Sequence, residues 1–334
     1  MGGASSPRPP TVSGPTGTEL KLVYIAGAHR SGATVLGAIL GAGPGVFFAG
    51  ELYRCPHPIF ERPDPDRRCS CGVAVDLCPF WVRIRERLEA EPGLSAALRA
   101  GQLRYERWRS IPRTLWKLSA RDPGLLAHIA RMGRFLRILS EESGASVLVE
   151  SSYNPLRGRL YQDRSSEVNV RFLHLVRDGR NFLVAERTAV DPPEVAWRWL
   201  RSTPVILARW VFAHLLSLVL LGRGRRYLRI RFETMVRSPQ PILGKVARLA
   251  EVDLDAVVDR VTAGDLIPMR HIAAGNRLRL LGTLRLRTEY ASPPHLSLLG
   301  RAAFWGLAGW LALILGYRPG GAAPPVDGAV KPSG

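Results

Sequence analysis

The chain reads as an α/β protein: a P-loop-like parallel sheet flanked by helices, with a helical lid insertion. Three observations predict this. The apolar run Leu22–Ala26 feeds directly into a glycine loop and then a helix. Three later strand-like runs, ending at Val149, Val176 and Glu233, are each succeeded by more helix, the rhythm of strands alternating with crossovers. Between residues 52 and 145 that rhythm stops and apolar residues recur at helical intervals instead.

Leu22–Ala26 is too short for a stable helix and rich in β-branched and aromatic residues, so it reads as a central strand. From Gly27 the spacing is one glycine, four residues, Gly32, then Ala33 and Thr34. This is the outline of a phosphate-binding loop with alanine in the lysine position. The cation sits inside the loop instead, at Arg30, beside His29. Ser31, Gly32, Ala33 and Thr34 open a helix whose free N–H groups and positive dipole end attract an anion. Arginine presents a planar fork that grips two oxygens of a phosphate or sulfate, where lysine acts as a point charge. A nucleoside triphosphatase needs the lysine, so Ala33 argues against kinase or GTPase chemistry. The helix is followed by a short strand that ends Gly50-Glu51.

The run Arg30-Ser31-Gly32-Ala33-Thr34 after a hydrophobic strand resembles the phosphosulfate loop of the sulfotransferase family, and Gly50-Glu51 resembles the pair that bacterial members and tyrosylprotein sulfotransferases place after the loop helix. The resemblance extends over most of Lys21–Arg318. It implies that the sulfuryl donor is 3′-phosphoadenosine 5′-phosphosulfate (PAPS), that no metal is needed, and that Glu51 is the catalytic base. By it, Arg30, Thr34 and the loop amides hold the 5′-phosphosulfate.

The 334 residues, 46% of them apolar, suffice for a full core. The net charge of +19 comes almost wholly from arginine; the lysines are Lys21, Lys117, Lys245 and Lys331. A basic surface suits acidic ligands and speeds the arrival of a polyanion. No RNA-binding, zinc-finger or basic-zipper pattern accompanies it, so no nucleic-acid partner is expected. Residues 1–20 and 319–334 are rich in Pro, Gly, Ser and Ala and read as disordered tails around one domain, 21–318, and the first lacks the apolar segment of a signal peptide. The expected location is the cytoplasm.

The insertion, 52–145, opens with all four cysteines: Cys55, Cys69, Cys71 and Cys78. Disulfides, a structural zinc site and reduced thiols packed beneath Phe80 and Trp81 all remain open, since Cys-x-Cys plus a six-residue gap is not a standard zinc ribbon. A similar Cys-x-Cys-Gly and Cys-Pro-Phe-Trp pattern occurs in bacterial sulfotransferases and implies a structural clasp near the acceptor side, without catalytic work. Helices are predicted over Arg83–Ala100, Trp108–Leu118 and Leu125–Glu142. Trp108, Trp116 and Phe135 are candidates for an apolar acceptor pocket, although aromatics at helical spacing are more often core.

Ala145–Val149 is the next buried strand and runs into Glu150-Ser151-Ser152-Tyr153. Related bacterial sulfotransferases end this strand Asp-Ser-Ser-Lys, so Ser152 and Tyr153 are placed on the sulfuryl side. Tyr153 departs from the pattern, because a phenol donates a hydrogen bond but carries no positive charge. Arg157 and Arg159 are the nearest cations that would have to replace the lysine. Val170–Val176 is a strand ending in Arg177-Asp178-Gly179-Arg180, similar to the family's 3′-phosphate segment; the serine expected eight positions after Arg177 is Ala185. Losing that hydroxyl removes one hydrogen bond to a charged oxygen, roughly 1.5–3 kcal/mol. Salt-bridging of Arg177 to Asp178 and a core position for His174 are the plain alternatives. Tyr227–Glu233 is a fourth strand in this series, backed by a helix at Pro241–Ala250. Gly275, Asn276, Arg277 and Arg279 form a loop similar to the family's Gly-Asn-x-x-Arg segment over the 3′-phosphate.

Pro204–Leu221 is apolar but holds Arg209 and His214, and Ala302–Tyr317 would span only about 24 Å as a helix against a hydrocarbon core of about 30 Å. Neither is expected to span a membrane. The second, with Trp305, Trp310, Arg301 and Arg318, fits peripheral membrane contact. The reaction expected is transfer of a sulfuryl group to a hydroxyl-bearing acceptor. The competing readings are a catalytically degenerate nucleotide-binding module, motivated by Tyr153 and Ala185, and a P-loop kinase.

Overall fold

Alternate residues of the first strand, β1 (Lys21–Gly27), look to opposite sides of a sheet, and both sides are buried. Leu22, Tyr24 and Ala26 enter one core, Val23 and Ile25 another. Burial on both faces is what a central parallel strand requires. The computed structural model describes residues 19–54, 68–187, 202–222, 224–287 and 296–319. The tails other than Glu19, Leu20 and Arg318-Pro319, and Cys55, lie outside them.

The sheet has five parallel strands in the order β2 (Val46–Gly50), β3 (Val147–Glu150), β1, β4 (Asn169–Val176) and β5 (Tyr227–Arg231). β1 is flanked in register by Leu22↔Leu148 and by Leu22↔Val170. The carboxyl ends of β1, β2, β3 and β4 therefore open on one rim, which is where ligands gather in open α/β sheets. β5 ends at Arg231, and Phe232–Arg237 turns helical, so the extended reading to Glu233 was two residues long.

One sheet face is covered by α1 (Ala33–Gly41), α9 (Phe232–Arg237), α10 (Pro239–Ala250) and α11 (Asp255–Ala263). The insertion covers the other. Its helices are α2 (Pro79–Glu89), α3 (Leu94–Tyr105), α4 (Ile111–Ser119) and α5 (Pro123–Ser143). The single helix expected over Arg83–Ala100 is two, because Pro92 and Gly93 follow α2, and Gly93 takes φ 76°. Trp108 begins a short 3₁₀ turn before α4, and Asp122 caps α5 by accepting from Leu125 N at 2.9 Å. Phe135 is buried in the core, while Trp108 and Trp116 stand 44% and 67% exposed, so the three aromatics do not share one pocket. Their spacing could not reveal which face of each helix meets the sheet.

A third core joins α7 (Gly179–Arg187), α8 (Thr203–Leu221) and α12 (Leu298–Ile314) around Trp210 and Phe304. α8 is, by length and composition alone, apolar enough to cross a membrane, but its Ile206, Leu207, Trp210 and His214 are buried inside the protein. The outward residues Val219, Trp310, Leu313 and Ile314 remain exposed.

His174 is a core histidine: its Nε2 meets His214 Nδ1 at 2.8 Å and its Nδ1 meets the Tyr227 hydroxyl at 2.7 Å. Burial lowers His174 to about 3 and His214 well below its ordinary value. Both are neutral when folded. Below about pH 6.5 the unfolded chain binds protons that the folded chain refuses, so stability should fall as pH drops from about 6.5 toward 3. Melting temperature measured across this range should decline steadily, with a shallower slope in His174→Gln; an unchanged slope would remove the pair from the account.

Candidate active site

The loop after β1 is bent by three residues at positive φ: Gly27 (147°), Arg30 (58°) and Gly32 (92°). Two of these positions have no room for a side chain. A methyl on Gly27 would lie 2.3 Å from Leu175 O, and one on Gly32 would lie 2.2 Å from the Phe232 ring. Gly32→Ala should therefore disorder the loop. A loss of anion affinity of at least tenfold, read by calorimetry, is the expected result; unchanged affinity would mean that Phe232 gives way freely. Arg30 accepts the cost of a left-handed backbone without being glycine, on the order of 1–3 kcal/mol, a strain typical of functional loops. Gly32 stands at the N-cap of α1, whose first turn holds no acidic residue, leaving its dipole uncompensated.

Arg30 does not point alone at this helix end. Its Nε donates to Glu186 Oε1 at 2.8 Å, and Glu186 Oε2 accepts from Arg209 at 3.0 Å. Sequence reasoning missed both partners. Glu186 directly follows Ala185 on α7, so the expected serine position and the cation of the loop are brought side by side by this pair.

Arg177, at the carboxyl end of β4, lies behind the loop. Its Nη1 donates to Arg30 O at 3.0 Å, and its guanidinium sits 5.3 Å from the Phe232 ring centre. Its Nε is buried with no hydrogen-bond partner. The alternative of a salt bridge to Asp178 is not what forms: Asp178 takes both Nε and Nη2 of Arg180, the latter at 2.7 Å. A buried donor without an acceptor is costly unless an incoming group satisfies it. Ser31 Oγ and Arg279 Nε are unsatisfied in the same way.

Glu51 leaves the end of β2 through Gly50 at φ 74°, where the Ala274 carbonyl comes so close that a methyl would lie 2.3 Å from it. Glu51 N donates to that carbonyl at 3.1 Å. The 274–279 loop is thus stitched onto the end of β2. A methyl on Gly275 would stand 3.8 Å from both Glu51 Oε1 and Thr34 Oγ1, so carboxylate, hydroxyl and loop meet at one place. Burial pushes the Glu51 carboxyl up from its ordinary value, against the pull of Arg54 (3.1 Å) and Arg279. Asn276 accepts from Leu278 N at 3.0 Å and caps the turn Arg277–Leu281, and buried Arg279 donates to Gly275 O at 3.1 Å. Arg277 is exposed.

Tyr153 is buried at φ 53°. Its ring packs 4.8 Å from that of His29, which is itself exposed. Burial and the Glu51 carboxylate push its phenol well up, so it stays protonated and neutral. Ser152 faces the other way: its Oγ donates to Glu150 and accepts from Tyr53 N at 2.9 Å. Arg157 does not reach back to replace the missing lysine. It is buried between Glu150 (2.8 Å) and Glu106 (2.7 Å), and Glu106 also meets His128 at 2.8 Å.

A cavity of about 230 Å³ gathers part of this set, with Glu51, Ser31 and Arg279 outside its lining. Arg30, Gly32, Ala33, Thr34, Tyr153, Arg177, Ala185 and Asn276 line it, together with Val35, Phe232 and Leu278. Its walls come from the carboxyl ends of β1, β3 and β4, from α1, α7 and α9, and from the 276–278 turn. Among the described residues, the three sulfurs of Cys69, Cys71 and Cys78 and a ring nitrogen of His271 also cluster, within 4.8 Å of one another.

Solved sulfotransferases are structurally similar to the chain. One from Mycobacterium tuberculosis is 12% identical, with 87% of this chain and 77% of that one covered at a TM-score of 0.46. The sulfotransferase domain of the Synechococcus olefin synthase is 15% identical, over 90% of this chain and 98% of that one, at 0.44. One from Mycobacterium avium is 14% identical, over 89% and 77%, at 0.44. No family model matches the sequence, and no curated protein does.

Proposed function

We propose that this protein transfers a sulfuryl group from PAPS to the hydroxyl of an acceptor. The observation that carries the reading is the single cavity in which a bare helix N-terminus, Arg30 and the half-satisfied Arg177 face one another, with Glu51 beside Thr34 at its edge. Such a set fits a ligand with two separate anionic groups. The amides of 31–34 and Thr34 suit the 5′-phosphosulfate, and Arg177 with the Asn276–Arg279 turn suits the 3′-phosphate. The unpaired nitrogens of Arg177 and Arg279 and the Ser31 hydroxyl supply donors in want of acceptors, so the residues present fit the donor molecule.

In this reading Glu51 takes the proton of the acceptor hydroxyl as its oxygen bonds to sulfur and the bond from sulfur to the phosphate oxygen breaks. Protonated Tyr153 supplies a hydrogen bond where a cation is absent, and Arg30 carries the positive charge. Glu186 shares Arg30 with the ligand and, through its bond to Nε, fixes one edge of the guanidinium. Positioning and charge stabilisation carry the rest, and no metal enters the step.

Calorimetric titration with 3′-phosphoadenosine 5′-phosphate, beside ATP with magnesium, tests the reading. Binding of the bisphosphate should be weakened at least tenfold in Arg177→Ala, consistent with the loss of a hydrogen-bonded charge pair, on the order of 1.5–3 kcal/mol. Bisphosphate binding without turnover on any hydroxyl acceptor would favour the degenerate module, for which Tyr153 and Ala185 are the motive. Tight magnesium-dependent ATP binding would favour the kinase.

A further inference from the structure

Three thiols and an imidazole converge outside the cavity. The turn 69–72 is closed by Cys69 N to Val73 O (2.8 Å) and Gly72 N to Cys69 O (2.9 Å), with Gly72 at φ 95°, and it presents Cys69 and Cys71 on one side. Cys78 stands at the N-cap of α2, next to Pro79. His271 arrives from the far end of the chain. Its Nδ1 lies 3.3 Å from Cys78 Sγ and 3.9 Å from Cys69 Sγ, and Cys71 Sγ lies 3.7 Å from Cys78 Sγ. All four atoms fall within 4.8 Å of one another.

The 3.3, 3.7 and 3.9 Å separations are close to the edges of a coordination tetrahedron. Zinc–sulfur bonds of about 2.3 Å and zinc–nitrogen bonds of about 2.0 Å at tetrahedral angles put sulfur atoms about 3.8 Å apart and sulfur and nitrogen about 3.6 Å apart. A disulfide, at about 2.0 Å between sulfurs, would join only two of the groups and give the third thiol and the histidine no role. We infer that Cys69, Cys71, Cys78 and His271 bind one structural zinc ion.

The surroundings hold the histidine where a ligand must be. Phe80 stacks on its ring, 7° from parallel at 5.2 Å, and Trp81 Nε1 donates to its carbonyl at 3.1 Å. Ser70, between two of the cysteines, exchanges two hydrogen bonds with Ile272: its Oγ accepts from Ile272 N at 2.8 Å and its N donates to Ile272 O at 3.1 Å. Stacking and hydrogen bonds behind a ligand fix its orientation. With four protein ligands the site is closed, as structural sites are, and leaves no position for a substrate. Its consequence lies next door. His271 begins the segment whose Ala274 carbonyl holds Glu51 N and whose Arg279 lies near Glu51, so the ion would pin the 271–279 loop to the base of the insertion. The site stands independently of the sulfuryl-transfer reading.

The full chain, purified under reducing conditions with zinc in the growth medium, should contain about one zinc per molecule by elemental mass spectrometry. Exchange for cobalt should produce sulfur-to-metal charge-transfer bands and intense visible bands of tetrahedral geometry. Cys71→Ser, the exposed ligand and so the one least tied to folding, should lower metal content severalfold and shift the cobalt spectrum as one thiolate is lost. His271→Gln should do the same while keeping three thiolates. Chelation should lower the melting temperature on the order of 10 °C. Three results would overturn the inference: no metal uptake by reduced, folded chain; wild-type metal content in the Cys71→Ser/His271→Gln double variant; or a Cys71–Cys78 disulfide in protein that takes up no metal after reduction.

Discussion

Glu51→Gln should lower sulfuryl transfer by about 10²–10⁴-fold, the usual contribution of a positioned general base, while bisphosphate affinity changes little. Glutamine keeps the size of the side chain, so Gly275 and Thr34 keep their neighbour, but it can take no proton. Single-turnover transfer and calorimetry on the same protein separate the two effects, and turnover within threefold of wild type would end the assignment. The pH profile is a second handle on the same group. Burial raises the Glu51 carboxyl above its ordinary value of about 4.5, and the base must be ionised to act. Activity should therefore rise with pH through an acid limb placed above that value. Arg279→Leu removes one of the cations that pull the carboxyl down and should move the limb to higher pH.

Arg157→Leu should destabilise the fold by about 3–5 kcal/mol, the cost of stripping the partner from buried charges. Here two carboxylates would be left, Glu106 and Glu150, both fully buried. Burial pushes Glu106 up, yet Arg157 and His128 hold it down at about 2. Its ion pairing thus contributes stability above about pH 4.5 that is lost as pH falls toward 2. The network also frames the site. Asn154 Nδ2 donates to the Glu106 carbonyl at 2.8 Å and Tyr24 donates to the Asn154 carbonyl at 2.7 Å, and Ser152 and Tyr153 immediately precede this anchored residue after β3. Urea unfolding of Arg157→Leu beside the triple variant Arg157→Leu/Glu106→Gln/Glu150→Gln measures it. Recovery of much of the loss in the triple variant is expected, because replacing all the charges removes the penalty of leaving some unpaired; a loss below about 1 kcal/mol in the single variant would contradict the account.

Much of the site lay open in the sequence because its parts are local. The strand, the glycine spacing and the helix start that make the candidate anion loop are consecutive residues, and so are Gly50-Glu51 and Gly275-Asn276. Each carries its geometry in its own backbone preferences. Arg177 was legible by its place at the end of an apolar run. What stayed hidden was pairing at a distance. Nothing in the order of residues joins Arg30 to Glu186 and Arg209, or shows that Arg157 turns to Glu106 and Glu150 instead of toward the site. The faint signal was a glutamate directly after a helix that ends in Tyr105, a place where a buried carboxylate needs a distant cation.

By itself, then, the sequence determined the α/β class and marked out a candidate anion loop, since hydrophobic period and glycine placement act over a few residues. The tertiary structure alone decided which insertion aromatics are core and which face solvent, whether the loop's cation has a counter-ion, and that the three thiols have a histidine as their fourth neighbour. The reason is physical: local backbone preference is set by adjacent residues, whereas the partner of a buried charge or thiol is set by how distant segments pack, and His271 lies 193 positions from Cys78 along the chain.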